Sequence, residues 1–415
     1  MNRSMKDSQV IWIGDIPSDW HMVRIKNTSW LKGRIGWDGL KSSEFTDNGP
    51  YLITGTDFQN GKVNWATCAH ITSARYNEDL LLHIKEGDLL ITKDGTIGKL
   101  AIAENCPEEV SLNSGVMIIR NISEWKYVTK YMYYILASDI FTQWFTSEQK
   151  PGSTIKHLYQ HQFGEFRFPL PSIDEQNFIV QYLNDRCIAI DEAIKRHHHI
   201  IEKLEELKKS VVFAIITRGL NVDKYEPSSI PWCPKIPGNW TPKRIKYSIK
   251  ITNGSNPTTE GNIPVYGSGA TSFKTCGEHK DAPTVLLGRK GATLHIPHYI
   301  DHSYWNVDTA FDTKPKGKVN MKWFYYVAMC LDYKYYINQT TLPSMTQTDY
   351  NNMAIPTPPY DEQNAIAEYI DARIKRINEE KEKHLDLIVK LEEYRKSIIY
   401  QAVTGKIDCR EVQNG

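Results

Sequence analysis

The chain has 415 residues, 40% of them hydrophobic, and a formal net charge of +1. This length allows two or three domains with real cores, and the near-neutral charge excludes a globally basic protein, so any nucleic-acid binding must rest on local charge or on a partner. Seven cysteines without a CxxC pair argue against a zinc site or a disulfide framework, and no stretch approaches the roughly 18 apolar residues of a membrane span, so we expect a cytoplasmic, reduced protein.

The chain begins with a motif that it uses twice. Residues 12–20 read Trp-Ile-Gly-Asp-Ile-Pro-Ser-Asp-Trp, and residues 232–240 read Trp-Cys-Pro-Lys-Ile-Pro-Gly-Asn-Trp. Arg-Ile-Lys follows at 24–26 and again at 244–246, so the spacing within the motif is the same in both copies. The repeated opening indicates two domains built on one plan.

A common order of elements survives inside the two domains although their residues diverge. Each domain has an apolar strand that runs into a basic glycine turn, then an aromatic helix, and closes with a polar loop and a proline-spaced strand. These segments are 87–92, 93–99, 130–136, 152–155 and 168–171 in the first domain, and 284–288, 289–293, 322–328, 340–342 and 355–358 in the second. We therefore expect two mixed α+β domains dominated by strands.

A second repeat follows each domain. The stretch 174–217 recurs without a gap at 361–404, and both copies begin Asp-Glu-Gln-Asn. Apolar residues at spacings of three and four, without an internal Pro or Gly, predict a long helix in each copy. About 44 residues at roughly 1.5 Å each make a rod of about 65 Å, and two such rods indicate an antiparallel coiled coil. His197 and His384 interrupt the apolar stripe at equivalent positions, where a register device or a solvated position is favoured over a pH switch.

Duplicated long helices that begin Asp-Glu-Gln, alternating with two divergent domains that each open Ile-Pro-x-x-Trp, resemble the specificity subunit of type I restriction-modification enzymes. The resemblance covers nearly the whole chain and includes the helix ends at 215–219 and 402–406. It implies target recognition domains at 1–171 and 221–358, and long helices that act as coiled-coil spacers at 172–220 and 359–410, with an internal pseudo-twofold repeat.

The same resemblance implies a function. Each recognition domain would read one half of a split, asymmetric sequence in double-stranded DNA, and the helices would set the spacer and dock two methyltransferase subunits. Restriction subunits would then join. The assembled complex would be a DNA adenine methyltransferase and, with restriction subunits, an ATP-dependent endonuclease. The alternative is a scaffold that does not bind DNA, whose coiled coil joins partner proteins; a self-sufficient methyltransferase is disfavoured.

Three motif-like stretches do not make a catalytic, cofactor or metal site. Residues 357–360 read Thr-Pro-Pro-Tyr, but an adenine methyltransferase needs a better hydrogen-bond acceptor than Thr at the first position. The turn 95–99 resembles a phosphate loop, yet a Walker A motif would need Gly where Lys93 stands and Ser or Thr where Leu100 stands. Residues 197–199 are three consecutive histidines, which point about 100° apart on a helix and cannot converge on one metal. We therefore expect a non-catalytic chain without a cofactor or metal.

Local basic and polar loops are the candidates for DNA contacts. Glycine lets the backbone approach a phosphate, and an arginine at a turn tip can reach guanine O6 and N7. The candidates are Lys32, Arg34, Lys93, Gly95, Lys99, Thr154, Lys156 and His157 in the first domain, and Asn253, Arg289, Lys290, Thr341, Ser344 and Gln347 in the second. An ordinary solvated hairpin is the alternative interpretation of the glycine turns, and helical spacing favours core packing for the tyrosine-rich helices.

Overall fold

The computed structural model describes residues 3–34, 40–122, 126–149, 156–269, 271–337 and 343–410. Two units are present. The first unit comprises Met1–Arg196 and Leu387–Gly415, and the second comprises His197–Asp386. Each unit therefore contains one strand-rich domain and parts of both long helices.

The first unit is built mainly from short strands. Its strands are β1 (Met5–Asp7), β2 (Asp15–Pro17), β3 (His21–Arg24), β4 (Ser29–Gly33), β5 (Thr46–Ile53), β6 (Phe58–Gln59), β7 (Lys62–Val63), β8 (Ala69–His70), β9 (Leu89–Thr92), β10 (Leu100–Ile102), β11 (Val110–Leu112), β12 (Val116–Asn121) and β13 (Arg167–Leu170). Its helices are α1 (Ile25–Thr28), α2 (Ser73–Asn77), α3 (Thr129–Ala137), α4 (Asp139–Glu148) and α5 (Gln160–Phe163), and the long helix α6 (Ile173–Arg218) begins in it.

The second unit repeats this plan with fewer strands among the described residues. Its strands are β14 (Tyr225–Ile230), β15 (Cys233–Pro237), β16 (Thr241–Arg244), β17 (Ile249–Asn253), β18 (Ile263–Tyr266), β19 (Lys274–Cys276), β20 (Thr284–Gly288), β21 (His298–Ile300), β22 (Trp305–Asn306), β23 (Ala310–Pro315) and β24 (Ala354–Thr357). Its helices are α7 (Ile245–Ser248), α8 (Met321–Cys330) and α9 (Gln347–Asn352), and the second long helix α10 (Tyr360–Val403) begins in it.

The sheets of the two units follow one topology. The first unit has a sheet in the order β4-β12-β9-β10-β7-β6 beside a three-stranded sheet β11-β5-β8; the second has β17-β23-β20-β21 beside β19-β18-β22. In both, the central strand of the smaller sheet pairs in parallel with a later strand, β5 with β11 and β18 with β22. A two-stranded ribbon, β3 with β13 or β16 with β24, then leads into the long helix.

Central strands are mostly apolar because both of their faces are covered. Every residue of β9 and of β20 is buried. The aromatic helices pack on this layer: Tyr131 of α3 is fully buried, and its hydroxyl donates to the carbonyl of Pro169 at 2.9 Å. The expectation that these helices pack in the core is therefore confirmed for their buried faces.

The two long helices pack against each other in antiparallel fashion. In the first unit the early part of α6 meets the late part of α10, where Asp191 lies 3.7 Å from Arg395. In the second unit the late part of α6 meets the early part of α10, where Glu205 lies 2.7 Å from Lys381. The prediction of mixed α+β domains with two long, antiparallel helices is therefore confirmed.

His197 and His384 face each other across this seam in the second unit. Their Nδ1 atoms are 2.9 Å apart and their ring centroids 5.0 Å apart. One ring nitrogen must donate and the other accept, so the pair holds at least one unprotonated nitrogen.

Each domain is joined to its long helix by the same set of contacts. Nε1 of Trp20 donates to Glu175 at 2.9 Å in the first unit, and Nε1 of Trp240 donates to Glu362 at 2.9 Å in the second. The repeated Trp and Asp-Glu-Gln motifs are therefore the two sides of one anchor. In the described part of the chain, no helix combines the length and the apolar character needed to cross a membrane.

Candidate nucleic-acid interface

Three candidate loops of the first domain meet at Lys93. The backbone N–H of Lys93 donates to Gly115, and its carbonyl accepts from the N–H of Leu158, both at 2.9 Å. Its ammonium group donates to the carbonyl of Arg34 at 3.0 Å. The end of β4, the glycine turn after β9 and the segment before α5 are thereby held together, although they lie far apart in the sequence.

Two residues at this junction are buried, which the sequence did not predict. Arg34 is 4% exposed, and its Nε donates to the carbonyl of Leu112 at 3.1 Å. Lys93 is 8% exposed, and burial lowers the pKa of its amine while the nearby Asp94 carboxylate opposes part of that shift. In this arrangement neither cation reaches the surface, so both act as struts between loops.

The remaining candidates of the first domain differ in their exposure to solvent and in their contacts with carboxylates. Lys32 lies 3.0 Å from the carboxylate of Asp79. Gly95 has a φ of +65°, which a glycine tolerates, and open space surrounds it. Lys99 and Lys156 are exposed, and Nδ1 of His157 contacts the carboxylate of Asp94. Gly95, Lys99, Lys156 and His157 thus form the accessible part of this surface, while Thr154 lies outside the described residues.

The second domain repeats the junction at Arg289. The N–H of Arg289 donates to Thr309 at 2.8 Å, and its carbonyl accepts from Met345 at 3.0 Å, the bonds that Lys93 makes in the first domain. Lys290 forms an antiparallel bridge with Ser344. The glycine turn after β20 and the loop before α9 are thereby brought together.

The two basic side chains at this second junction make few contacts within the protein and are partly exposed to solvent. The guanidinium of Arg289 donates to the carbonyl of Asp308 at 3.3 Å and lies 5.8 Å from the centre of the Phe311 ring. The ammonium group of Lys290 lies 3.6 Å from the carboxylate of Asp308 and is 41% exposed. Both cations are therefore closer to solvent than Lys93, and they are the stronger candidates.

Two candidates at the edges of this surface have different surroundings. Asn253 is exposed at the end of β17, beside a glycine whose position allows no Cβ because a backbone carbonyl would lie 2.1 Å from it. Gln347 donates through Nε2 to the carbonyl of Ile251 at 2.5 Å, so it supports the strand. Thr341 lies outside the described residues.

Sequence reasoning missed two parts of this arrangement. Gln160 donates to the carbonyl of Leu31 at 2.9 Å, as Gln347 does to Ile251 in the second domain. The available signal was that these two glutamines are separated by the same interval as the two copies of the long helix. Residues 267–269 also join the junction, because the hydroxyl of Thr293 donates to the carbonyl of Ser268 at 2.9 Å. Their Gly-Ser-Gly sequence is typical of a turn, but it does not indicate that they neighbour the basic turn.

Comparison with known proteins agrees with this duplicated architecture. The family model "Type I restriction modification DNA specificity domain" matches residues 17–206 and 237–387, which is most of the chain. The chain belongs to this family. It is 24% identical over 421 residues to the putative type I restriction enzyme MjaX specificity subunit of Methanocaldococcus jannaschii, covering 95% of both chains.

Solved structures of low sequence identity share the fold. One is a chain from work on complex assembly and conformational transition of the type I R-M system, with 16% identity, a TM-score of 0.73, and coverage of 94% of this chain and 99% of that one. Another is the HsdS subunit from Thermoanaerobacter tengcongensis, with 16% identity, a TM-score of 0.56, and coverage of 94% and 98%.

Membership of the specificity family decides between the two functions that the sequence left open. The family is defined by DNA specificity in type I restriction-modification, so the predicted function is confirmed and the scaffold alternative has no support. The relatives are specificity subunits, which agrees with a non-catalytic role for this chain.

Proposed function

We propose that each domain of this specificity subunit reads one half of a bipartite, asymmetric DNA target. The observation that carries the proposal is the repeated junction at Lys93 and Arg289, which brings sequence-distant loops onto one surface in both domains. Loops held by a rigid scaffold are where recognition residues commonly lie. The surface residues at each junction then act as readers, and the buried cations hold the readers in place.

Domain exchange tests this proposal. Residues 20–171 would be replaced by the equivalent domain of a relative, and the methylated sites of cells carrying the chimaera with its methyltransferase partner would be sequenced. We expect one half of the site to change and the other to stay. A change in both halves would rule out independent readers.

A single substitution tests the second domain. Arg289→Ala should weaken the preferred base of the second half-site by about 1–3 kcal/mol if the guanidinium contacts a base edge. The first half-site should be unaffected. If binding falls equally for all sequences, Arg289 contacts phosphate.

The long helices are proposed to fix the spacer and to dock two methyltransferase subunits, which restriction subunits then join. In this arrangement the chain supplies specificity, while adenine methylation and ATP-dependent cleavage belong to the partner subunits. The antiparallel packing of the two long helices supports their role as the spacer, because a paired helix is stiffer than a single one.

A change in helix length tests the spacer role. One heptad added to both helices at matching points adds about 10 Å of helix, or about three base pairs of rise. Selection from a random-spacer DNA library should then give a longer spacer or weaker binding, and an unchanged spacer at full affinity would exclude the helices as the ruler.

The non-catalytic role has its own test. The isolated chain should neither bind S-adenosylmethionine nor methylate DNA. Stoichiometric binding of this cofactor to the isolated chain in calorimetry would contradict the proposal.

A further inference from the structure

A basic and aromatic cleft lies in the second domain away from the junction at Arg289. Its volume is about 710 Å³, and its walls include Lys243, Arg244, Tyr247, Tyr336 and Asn352. Tyr247 is 66% exposed. Lys, Arg and Tyr side chains are among the groups that commonly contact the phosphates of duplex DNA.

On the equivalent surface of the first domain, a carboxylate is paired with the cations. Glu165 there forms ion pairs with Arg24, at 3.3 Å, and with Lys26. The two cations recur in the second domain as Arg244 and Lys246, within the repeated Arg-Ile-Lys motif.

The acidic partner does not recur. Counted back from the repeated Asp-Glu-Gln-Asn start of the long helix, the position of Glu165 is taken in the second copy by Asn352. Within the described ranges, no carboxylate lies within 4.0 Å of the charged groups of Lys243, Arg244 or Lys246. An adjoining pocket has an acidic lining residue, Asp332, whose side chain accepts from the backbone N–H of Lys334.

A second pair of positions shows the same difference. In the first domain Arg120 lies opposite Trp30 across β12 and β4, and its Nε donates to Asp88 at 2.7 Å. In the second domain Lys314 lies opposite Lys250 across β23 and β17, and both are exposed. Like charges directly opposite each other destabilise a sheet, so this pair costs stability.

A further lysine lies between these two strands and the cleft. The ammonium group of Lys316 donates to the carbonyl of Lys246 at 2.7 Å, which places a further cation beside α7. Lysines on an edge strand also discourage strand pairing between molecules, and that role explains Lys250 alone. It does not explain the loss of the acidic partner at residue 352.

We propose that this track, formed by Lys243, Arg244, Lys246, Lys250, Lys314 and Lys316, binds phosphates of the DNA backbone near the second half-site. The proposal rests on the function proposed above. It gives the second domain a sequence-independent contact with the DNA backbone that the first domain lacks. Tyr247 and Tyr336 would then lie along the sugar-phosphate backbone.

The position of the track fits a continuous duplex. Strand β17 runs from the track at Lys250 to the candidate reader Asn253. The two residues are three positions apart, which is about 10 Å at roughly 3.3 Å per residue. The contacted phosphates should therefore lie about three base pairs from the bases read, at about 3.4 Å each. An acidic surface of a partner protein is the competing occupant, but only DNA must pass at this distance from the readers.

The repeat itself supplies the test variant. Asn352→Glu introduces the carboxylate that the first domain already accommodates beside the same two cations, so folding should be retained. We expect the full chain, assembled with its methyltransferase partner, to bind its target duplex roughly five- to tenfold more weakly at about 0.1 M salt. The slope of log K against log salt should fall by about one to two, because each phosphate contact contributes about 0.9. Preference among bases should not change.

Two further variants serve as controls. Asn221→Glu adds the same charge at an exposed position that does not line the cleft, and it should leave affinity and slope nearly unchanged. Glu165→Asn removes the ion pairs of Arg24 and Lys26 in the first domain. It should therefore raise the slope of log K against log salt for binding of the target duplex. Phosphate-ethylation interference should show positions about three base pairs from the second half-site that matter for the wild type and not for Asn352→Glu.

The outcomes separate this proposal from the function itself. If Arg289→Ala changes specificity but Asn352→Glu leaves affinity, slope and the interference pattern unchanged, the track does not bind DNA. If Asn352→Glu weakens only assembly with the methyltransferase subunit, the track binds protein and the proposal is overturned. If Asn221→Glu lowers the slope as much as Asn352→Glu, the effect is general charge, which also overturns it.

Discussion

We expect Gln347→Ala to lower the stability of the second domain without changing the bases that the domain reads. Nε2 of Gln347 donates to the carbonyl of Ile251, a residue of the edge strand β17 that is only 3% exposed. A buried carbonyl left without a donor costs roughly 1–3 kcal/mol. Gln160→Ala should cost the first domain a similar amount, because Gln160 makes the matching bond to Leu31.

Urea or thermal unfolding measures this loss. In a domain of 150–250 residues, 1 kcal/mol corresponds to about 2–4 °C in Tm. Gln347→Met keeps the side-chain volume but removes the donor, so it should lose as much stability as Gln347→Ala. Selection from a randomised DNA library reports base preference in parallel. Unchanged stability together with relaxed preference at one base pair would refute the reasoning, since Gln347 would then leave the strand and read DNA.

Three further predictions concern the struts, the helix end and the seam. Lys93→Met should leave the salt slope of DNA binding unchanged because the amine is buried, whereas Lys156→Ala should lower the slope by about one; equal slopes for the two variants would contradict this assignment. Gly405→Ala should lower the free energy of unfolding by roughly 2–4 kcal/mol, since the residue has a φ of +69° and a Cβ there would lie 2.4 Å from a proline ring; urea unfolding would show it. Replacing both His197 and His384 by Leu should leave Tm unchanged or raise it, because polar seam residues reduce stability; a clear fall would show that the histidine pair stabilises the seam.

The long helices were predictable because their signal is redundant. Helical spacing, acidic starts and a gapless repeat all indicated the same segments, and the structure places helices at Ile173–Arg218 and Tyr360–Val403. The glycine turns were also located correctly, since an apolar strand that ends in a basic, glycine-containing segment must turn there. Local pattern is sufficient where the structural reason is itself local.

The roles of individual cations were not predictable in this way. Lys93 and Lys99 occupy the same turn, yet one is buried against a carbonyl and the other is exposed. Burial of Lys93 depends on β4 ending beside it, a contact between segments that are distant in the chain. No single-sequence pattern encodes which loop will cover a lysine, so charge and turn type identified the region but not the readers.

Contacts that repeat and contacts that diverge divide the molecule by role. Trp20 with Glu175 and Trp240 with Glu362 keep the same 2.9 Å bond, because a shift there would tilt a domain on its helix. Glu165 pairs with a cation in the first domain, whereas the repeat-equivalent position in the second domain is Asn352. Because this position is exposed, the fold tolerates the difference. Anchors constrained by packing therefore stay at fixed offsets, while surfaces are free to acquire different charge. It follows that the differences between the two copies, more than their identities, indicate where each domain meets its own DNA.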